Sequence, residues 1–218
     1  MPLASLTHLP PIDPQPVDPD VVAAAESHPM RAVTHAAAAE VGAWSGGLPG
    51  QVMRTFDGLA GEWHTRHGPG RLEALADALD RGGPLPADGP WLELGAGDGW
   101  GSATIAERAP SLAAVELSSG MLAASPADGV PRLQADAAAL PLDDHSVATA
   151  VLMNMLLFPT ELDRVLRPGG ALVWLSSRGP GTPIHLTAEQ VAAALPGRWG
   201  GVSSQHGTAT WAVLRRQG

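Results

Sequence analysis

The stretch Leu92-Glu93-Leu94-Gly95-Ala96-Gly97-Asp98-Gly99-Trp100-Gly101-Ser102 decides the fold. Trp91–Leu94 reads as a short strand, the glycines as a tight turn, and Ser102 as the start of a helix. In an open α/β sheet, that order of elements puts a ligand outside the carboxyl end of the strand. Glycines let the chain turn sharply and let a ligand approach the backbone. Downstream, strands are expected over 113–117, 132–135, 147–153, 171–176 and 208–215. Helices are expected between them over 102–109, 119–124, 160–166 and 187–195, the last capped by Thr187. Such alternation gives a mostly parallel, doubly wound sheet with helices on both faces.

Upstream of the glycines the pattern is helical. Residues 1–19 hold six prolines and are expected to form an extended tail, because proline sustains neither a helix nor a sheet ladder. Residues 20–45 are rich in alanine, with Asp18 or Asp20 as cap and a break or restart at Pro29. Further helices are expected over 48–63 and 71–81, the latter with Leu72, Leu75, Ala76 and Leu79 on one face. The expected organisation is a tail over 1–19, a helical cap over 20–85 and a ligand-binding core over 86–218.

The 218 residues suit one domain of ordinary size. Lys and Arg number 13 against 22 Asp and Glu, a formal charge of −9. The densest basic cluster is Arg215-Arg216, so a surface built to coat nucleic acid is disfavoured. Cysteine is absent, which excludes disulfides, Cys-ligated zinc, iron–sulfur clusters and a thiol nucleophile. No Asp/His pair has metal-ligand spacing, so no metal is expected. The longest apolar stretch, about residues 147–158, is too short for the ~20 residues a membrane span needs. The N-terminus lacks a basic n-region, and the expected compartment is the cytoplasm.

Charge narrows the ligand of the glycine loop. The dinucleotide pattern G-x-G-x-x-G fails from Gly95, because residue 100 is Trp; from Gly97 it meets only Gly99 and Ser102. The phosphate-binding G-x-x-x-x-G-K-S/T pattern is missing altogether. Glu93 precedes the loop and Asp98 lies inside it. A diphosphate there would meet both carboxylates, at a cost of about 4 kcal/mol for like charges ~4 Å apart. S-adenosylmethionine, with a sulfonium, an ammonium and no phosphate, suits the acids. Glu116 follows Gly95 by 21 residues, where an acid can accept the ribose hydroxyls. Asp136 lies 20 residues further, where a carboxylate or a neighbouring amide can meet adenine. Each acid alone reads as a solvated loop residue; three at the ends of successive strands do not.

Four segments in order resemble the class I S-adenosylmethionine-dependent methyltransferases, most nearly the small-molecule type related to ubiquinone and menaquinone biosynthesis. They are Glu93-Leu94-Gly95-Ala96-Gly97-Asp98-Gly99; Val115-Glu116-Leu117-Ser118-Ser119-Gly120-Met121-Leu122; Ala135-Asp136-Ala137 through Leu140-Pro141-Leu142 to Asp143-Asp144-His145-Ser146; and Arg164-Val165-Leu166-Arg167-Pro168-Gly169-Gly170. The resemblance implies a Rossmann-like, seven-stranded sheet whose last strand is antiparallel, with N-terminal helices added. It implies methyl transfer from S-adenosylmethionine to a small acceptor, leaving S-adenosylhomocysteine. By position, Gly95, Ala96 and Gly97 would run beside the methionine part and Glu93 would reach its amino group through water. Glu116 would hold the ribose, and Leu117 and Met121 would pack on adenine. Asp136 and Ala137 would face the adenine edge, and Asn154 would lie where cofactor and acceptor meet.

Thr55-Phe56-Asp57-Gly58-Leu59-Ala60-Gly61-Glu62-Trp63 resembles the family's entry segment, which usually ends in Tyr; Trp63 stands in that place and either covers the cofactor or anchors the N-terminal helices. The chain departs from the family between Asn154 and Arg164, which is several residues short, so the fourth crossover helix must be stunted. Met155-Leu156-Leu157-Phe158 there reads as core packing or as an apolar acceptor pocket, with packing preferred. No residue declares itself a general base; His64 and His185 are the candidates, on segments expected to overhang the methyl. The rival readings are a protein of the same fold that binds the cofactor without transferring methyl, and a nicotinamide-dependent oxidoreductase.

Overall fold

Val147–Met153 reads VATAVLM, apolar with no alternation, as expected of a strand buried on both faces. In the computed structural model, which describes residues 5–40, 42, 44–68 and 70–217, this strand (β5) lies at the centre of one eight-stranded sheet. The others are β1 (Leu6–His8), β2 (Trp91–Leu94), β3 (Leu112–Glu116), β4 (Arg132–Gln134), β6 (Leu166–Ser176), β7 (Trp199–His206) and β8 (Ala209–Arg216). Their order is β1-β7-β8-β6-β5-β2-β3-β4. β2 pairs in parallel with β3 and β5, and β8 runs antiparallel to both β6 and β7. The chain reverses its direction of travel across the sheet beside β2, so the glycine turn opens at the topological switch point.

Side chains alternate across the sheet and make two cores. Leu94, Leu152, Leu172 and Trp174 belong to one, and Trp91, Val151, Val173 and Leu175 to the other. The second core also holds Leu75 and Leu79 of helix α4 (Arg71–Arg81). This helix has the expected bounds, and its buried face includes the acid Asp77, which accepts a 2.7 Å bond from the Trp211 indole and pairs with Arg81. Helices α1 (Pro19–Ser27) and α2 (Pro29–Ala38) meet at the expected restart, and Asp18 caps α1. Helix α3 (Leu48–Leu59) tightens into 3-10 turns over Ala60–Arg66, sooner than its pattern suggested. Then come α5 (Ser102–Ala106), α6 (Ser119–Ala124), α7 (Pro159–Val165) and α8 (Ala188–Ala194); Thr187 and Gln190 form a capping box on α8. The seven residues of α7 are the stunted crossover. No helix among the described residues is long and apolar enough to cross a membrane.

Two expectations need correction. The sheet has eight strands, not seven, because part of the proline-rich tail pairs in parallel with β7. Its prolines fall between the donors. Leu9, Ile12 and Gln15 give N–H bonds of 2.8–2.9 Å to Ser203, Gln205 and Gly207, while Pro10, Pro11 and Pro14 occupy intervening positions. A proline-rich segment can therefore satisfy a strand, provided it keeps an N–H at each point of contact. The second correction concerns β6. It begins at Leu166, and the Pro168-Gly169-Gly170 turn lies inside it as an irregularity, with the register to β5 jumping from Val147↔Leu166 to Thr149↔Ala171.

Candidate active site

The carboxyl ends of β2 and β3 build the floor. The N–H groups of Gly95 and Ala96 donate to the carbonyl of Val115 at 2.9 and 3.1 Å, bending the loop back over β3. One carboxylate oxygen of Glu116 accepts from Gly97 N–H at 2.8 Å and the other from Ser118 N–H at 2.9 Å. Each oxygen keeps a further acceptor site. Gly95 and Gly97 have φ of +69° and +58°, which glycine adopts without strain. A Cβ on Gly95 would stand 2.5 Å from Met155 Sδ, and one on Gly97 would stand 3.3 Å from Trp63 Nε1. Two flexible side chains thus lie on the glycine floor.

Glu93 points below the loop. Its carboxylate takes the Ser102 hydroxyl at 2.5 Å and is 2% exposed. Burial pushes its pKa up to about 7, against the Ser102 bond and the charge of Arg132. Asp98 faces the other way and meets His67 Nε2 at 3.1 Å. The His67 ring stacks on Trp100, with centroids 4.2 Å apart and planes at 12°. Burial holds the His67 pKa below its ordinary value despite the Asp98 carboxylate.

Asp136 follows β4 and is already engaged. Both its oxygens accept the Trp44 indole N–H, and one also accepts Ala138 N–H at 2.9 Å. Ala137 beside it is buried. Leu117 is partly exposed, whereas Met121 is fully buried and supports α6 from inside. Asn154 has φ +52° at the end of β5. Its amide bonds reciprocally with Ser177, donating to the hydroxyl and accepting the backbone N–H, both at 2.9 Å. The ends of β5 and β6 are thereby tied. Leu156, Leu157 and Phe158 are core residues, as packing required.

The helices before the sheet reach the site through Trp44, Trp63 and Asp57. Asp57 Oδ1 accepts from the Ser118 hydroxyl at 2.6 Å and Gly120 N–H at 2.8 Å, and these bonds hold its pKa below the ordinary range. The Trp63 ring meets Phe56 edge-on at 5.3 Å. Sequence reasoning quoted Asp57 and Ser118 only within family-like segments and gave neither a role; the signal available for Ser118 was the helix-start pattern at Ser118-Ser119. His64 is exposed on the 3-10 turns. His185 lines a cavity of about 330 Å³ with His8, Trp174, Glu189, Ser203 and Trp211, and no glycine-loop residue is among its walls. Burial, then the charge of Arg31, pulls the His185 pKa down to about 4. The glycine loop, Glu116, Asp136 and Asn154 lie at or just beyond the carboxyl ends of the adjacent strands β2, β3, β4 and β5, and Glu116 bonds the loop directly; His185 lines the separate cavity.

A family model described as a methyltransferase domain matches residues 92–174. The demethylmenaquinone methyltransferase of Mycolicibacterium gilvum (strain PYR-GCK) is 34% identical over 173 residues, 72% of this chain and 74% of that protein. Among solved structures, geranyl diphosphate C-methyltransferase from Streptomyces coelicolor A3(2) is 21% identical with a TM-score of 0.42, over 48% of this chain and 43% of that one. The [4+2]-cyclase SpnF is 25% identical with a TM-score of 0.46, over 56% and 54%.

Proposed function

This chain belongs to the class I S-adenosylmethionine-dependent methyltransferases, and on that premise we propose a small-molecule acceptor and a division of labour among the residues just described. The observation that carries the assignment is the Glu116 carboxylate, fixed by Gly97 N–H at the rim of the glycine loop with acceptor capacity to spare. When bound, the cofactor supplies a methyl on a sulfonium, a leaving group that departs as a neutral thioether. Glu116 holds the ribose hydroxyls; Asp136 and Ala137 face the adenine edge; Leu117 borders the base and Met121 backs it from below. Gly95, Ala96 and Gly97 run beside the amino-acid part, and Trp63 closes over it and excludes water. Asn154 fixes the ends of β5 and β6, where the acceptor is held. Positioning a nucleophile about 3 Å from the methyl carbon is the chain's main task.

Residues 20–85 act as the cap and 86–218 as the core in this reading, and α4 of the cap packs on the sheet as well. The charge of −9 opposes a nucleic-acid partner, and the compartment is the cytoplasm. Calorimetric titration with S-adenosylmethionine, S-adenosylhomocysteine and NADH tests the assignment. Micromolar binding of the first two and none of NADH is expected. Binding of NADH alone would move the chain to the nicotinamide enzymes. Binding of none would overturn the cofactor assignment.

A further inference from the structure

Trp174, Ala212, Ser203 and His8 are register partners across β6, β8, β7 and β1, so their side chains stand on one face of the sheet. They floor the cavity of about 330 Å³, and the segment from His185 into the first turn of α8 completes its walls. Its outer side exists because the proline-rich segment adds β1 to the sheet. Among the described residues of its wall, only Trp174 falls within residues 92–174, the stretch that the methyltransferase-domain model matches. Pockets for small molecules begin at about 300 Å³. This one suits a single ring with a short arm.

The hydrogen bonds of the wall run one way. Glu189 Oε1 lies 3.4 Å from His8 Nε2, and a carboxylate there places the neutral ring's proton on that nitrogen. Nδ1 then accepts the Ser203 hydroxyl at 2.8 Å. Gln205 gives its amide protons to the carbonyls of Gln15 and Gly207 and keeps its amide oxygen to accept. The Trp174 indole is spent on the Leu186 carbonyl. Donors are largely used up inside the protein, while acceptors remain at Glu189, Gln205 and Ser203. The charge has the matching sign. Among the described residues, no Lys or Arg lines the cavity. Burial, then the charge of Arg31, pulls the His185 pKa down to about 4, so that ring is neutral at ordinary pH. A bond from its own backbone N–H, against partial burial, holds the Glu189 carboxyl below its usual range.

We propose that this cavity binds a small protonated amine, with its apolar body on the Trp174–Ala212 row and its ammonium donating to Glu189. An anion would face the carboxylate, and a ligand with acceptors alone would find few donors to meet it. The site is separate from the glycine loop and does not depend on which cofactor the loop takes.

The test is an NMR titration that follows the indole N–H signals. The probes are benzylamine, neutral benzyl alcohol and benzoate, each with and without saturating S-adenosylhomocysteine. The proteins are the wild type, Glu189→Gln, Glu189→Asp and, as a control, Glu107→Gln, which changes an exposed acid at the end of α5. Thermal melts check folding. The wild type should bind benzylamine saturably, benzyl alcohol at least about tenfold more weakly, and benzoate not at all. Glu189→Gln should lose about tenfold or more of the benzylamine affinity, Glu189→Asp less, and Glu107→Gln none. Absence of saturable benzylamine binding, equal binding of amine and alcohol, or undiminished binding in a folded Glu189→Gln overturns the proposal. So does competition by S-adenosylhomocysteine, because the amine then sits at the glycine loop. Benzylamine binding in a protein that takes no S-adenosylhomocysteine leaves the amine site standing and overturns only the cofactor assignment.

Discussion

The indole N–H of Trp44 donates to both carboxylate oxygens of Asp136, at 3.0 and 2.9 Å. Adenine, in the proposed site, needs the same acceptor. Cofactor binding must therefore draw Trp44 away or add to its bond. Its ring also packs on Phe158, with centroids 5.4 Å apart, so the displacement disturbs the edge of the core.

Replacing Trp44 with Phe keeps the ring and removes the donor. A hydrogen bond to a charged group contributes about 1.5–3 kcal/mol. S-adenosylhomocysteine should bind Trp44→Phe more tightly by about tenfold or more, read by calorimetry. Weaker binding would mean that Trp44 belongs to the cofactor site instead of competing for it.

Glu116 serves two backbone donors as well as the proposed ribose. Glu116→Ala should weaken cofactor binding by about 1–3 kcal/mol and lower the melting temperature too, since Gly97 N–H and Ser118 N–H both lose their partner. A lower melting temperature with unchanged affinity would confine Glu116 to holding the loop.

Glu93 gives a pH dependence with a definite sign. Its folded pKa, pushed up to about 7, lies above the ordinary carboxyl value of 4.5. Between those two values the folded chain holds a proton that the unfolded chain has lost. Stability should fall as pH rises through that window and level off above it. Glu93→Gln removes the effect and should stabilise the protein at pH 8 by on the order of 2–3 kcal/mol, with little gain near pH 4.5. Denaturant titrations of both proteins at the two pH values check this; a gap that does not widen with pH tells against it.

Asp57 ties α3 to the start of α6. Asp57→Ala should leave the sheet intact and let α3 open more often. Amide exchange in α3 should quicken by about tenfold or more, while exchange in β5 stays slow. Uniform acceleration would mean that α3 unfolds only with the whole molecule.

What was legible in the chain follows from the range of each interaction. Trp91–Leu94 and Val147–Met153 carry a largely apolar run and Arg71–Arg81 a helical period within themselves, and their bounds agree with the structure. Glu116 was placed by its spacing from Gly95, because a βαβ unit has a narrow range of lengths. The contact of Trp44 with Asp136 spans 92 residues, and that of Asp57 with Ser118 spans 61. Nothing local announces such pairs. The inward turn of Glu93 depends on Ser102, which is legible only once the helix is known to start there. The pairing of β1 was hidden for a different reason: proline content describes a whole segment, while a ladder needs an N–H only at particular residues.

That N-terminal pairing has a consequence for how the protein behaves in company. Without it β7 would present a full row of free carbonyls and N–H groups at the rim of the sheet, ready to pair with another molecule. Leu6–His8 covers that rim, and the outermost strand it creates is three residues long and followed by Pro10 and Pro11, which cannot recruit a further strand. The opposite rim, β4, is equally short. The proline-rich segment thus works as a guard against self-association, and a chain trimmed to begin after Pro16 should turn cloudy on gentle warming well before the intact chain does.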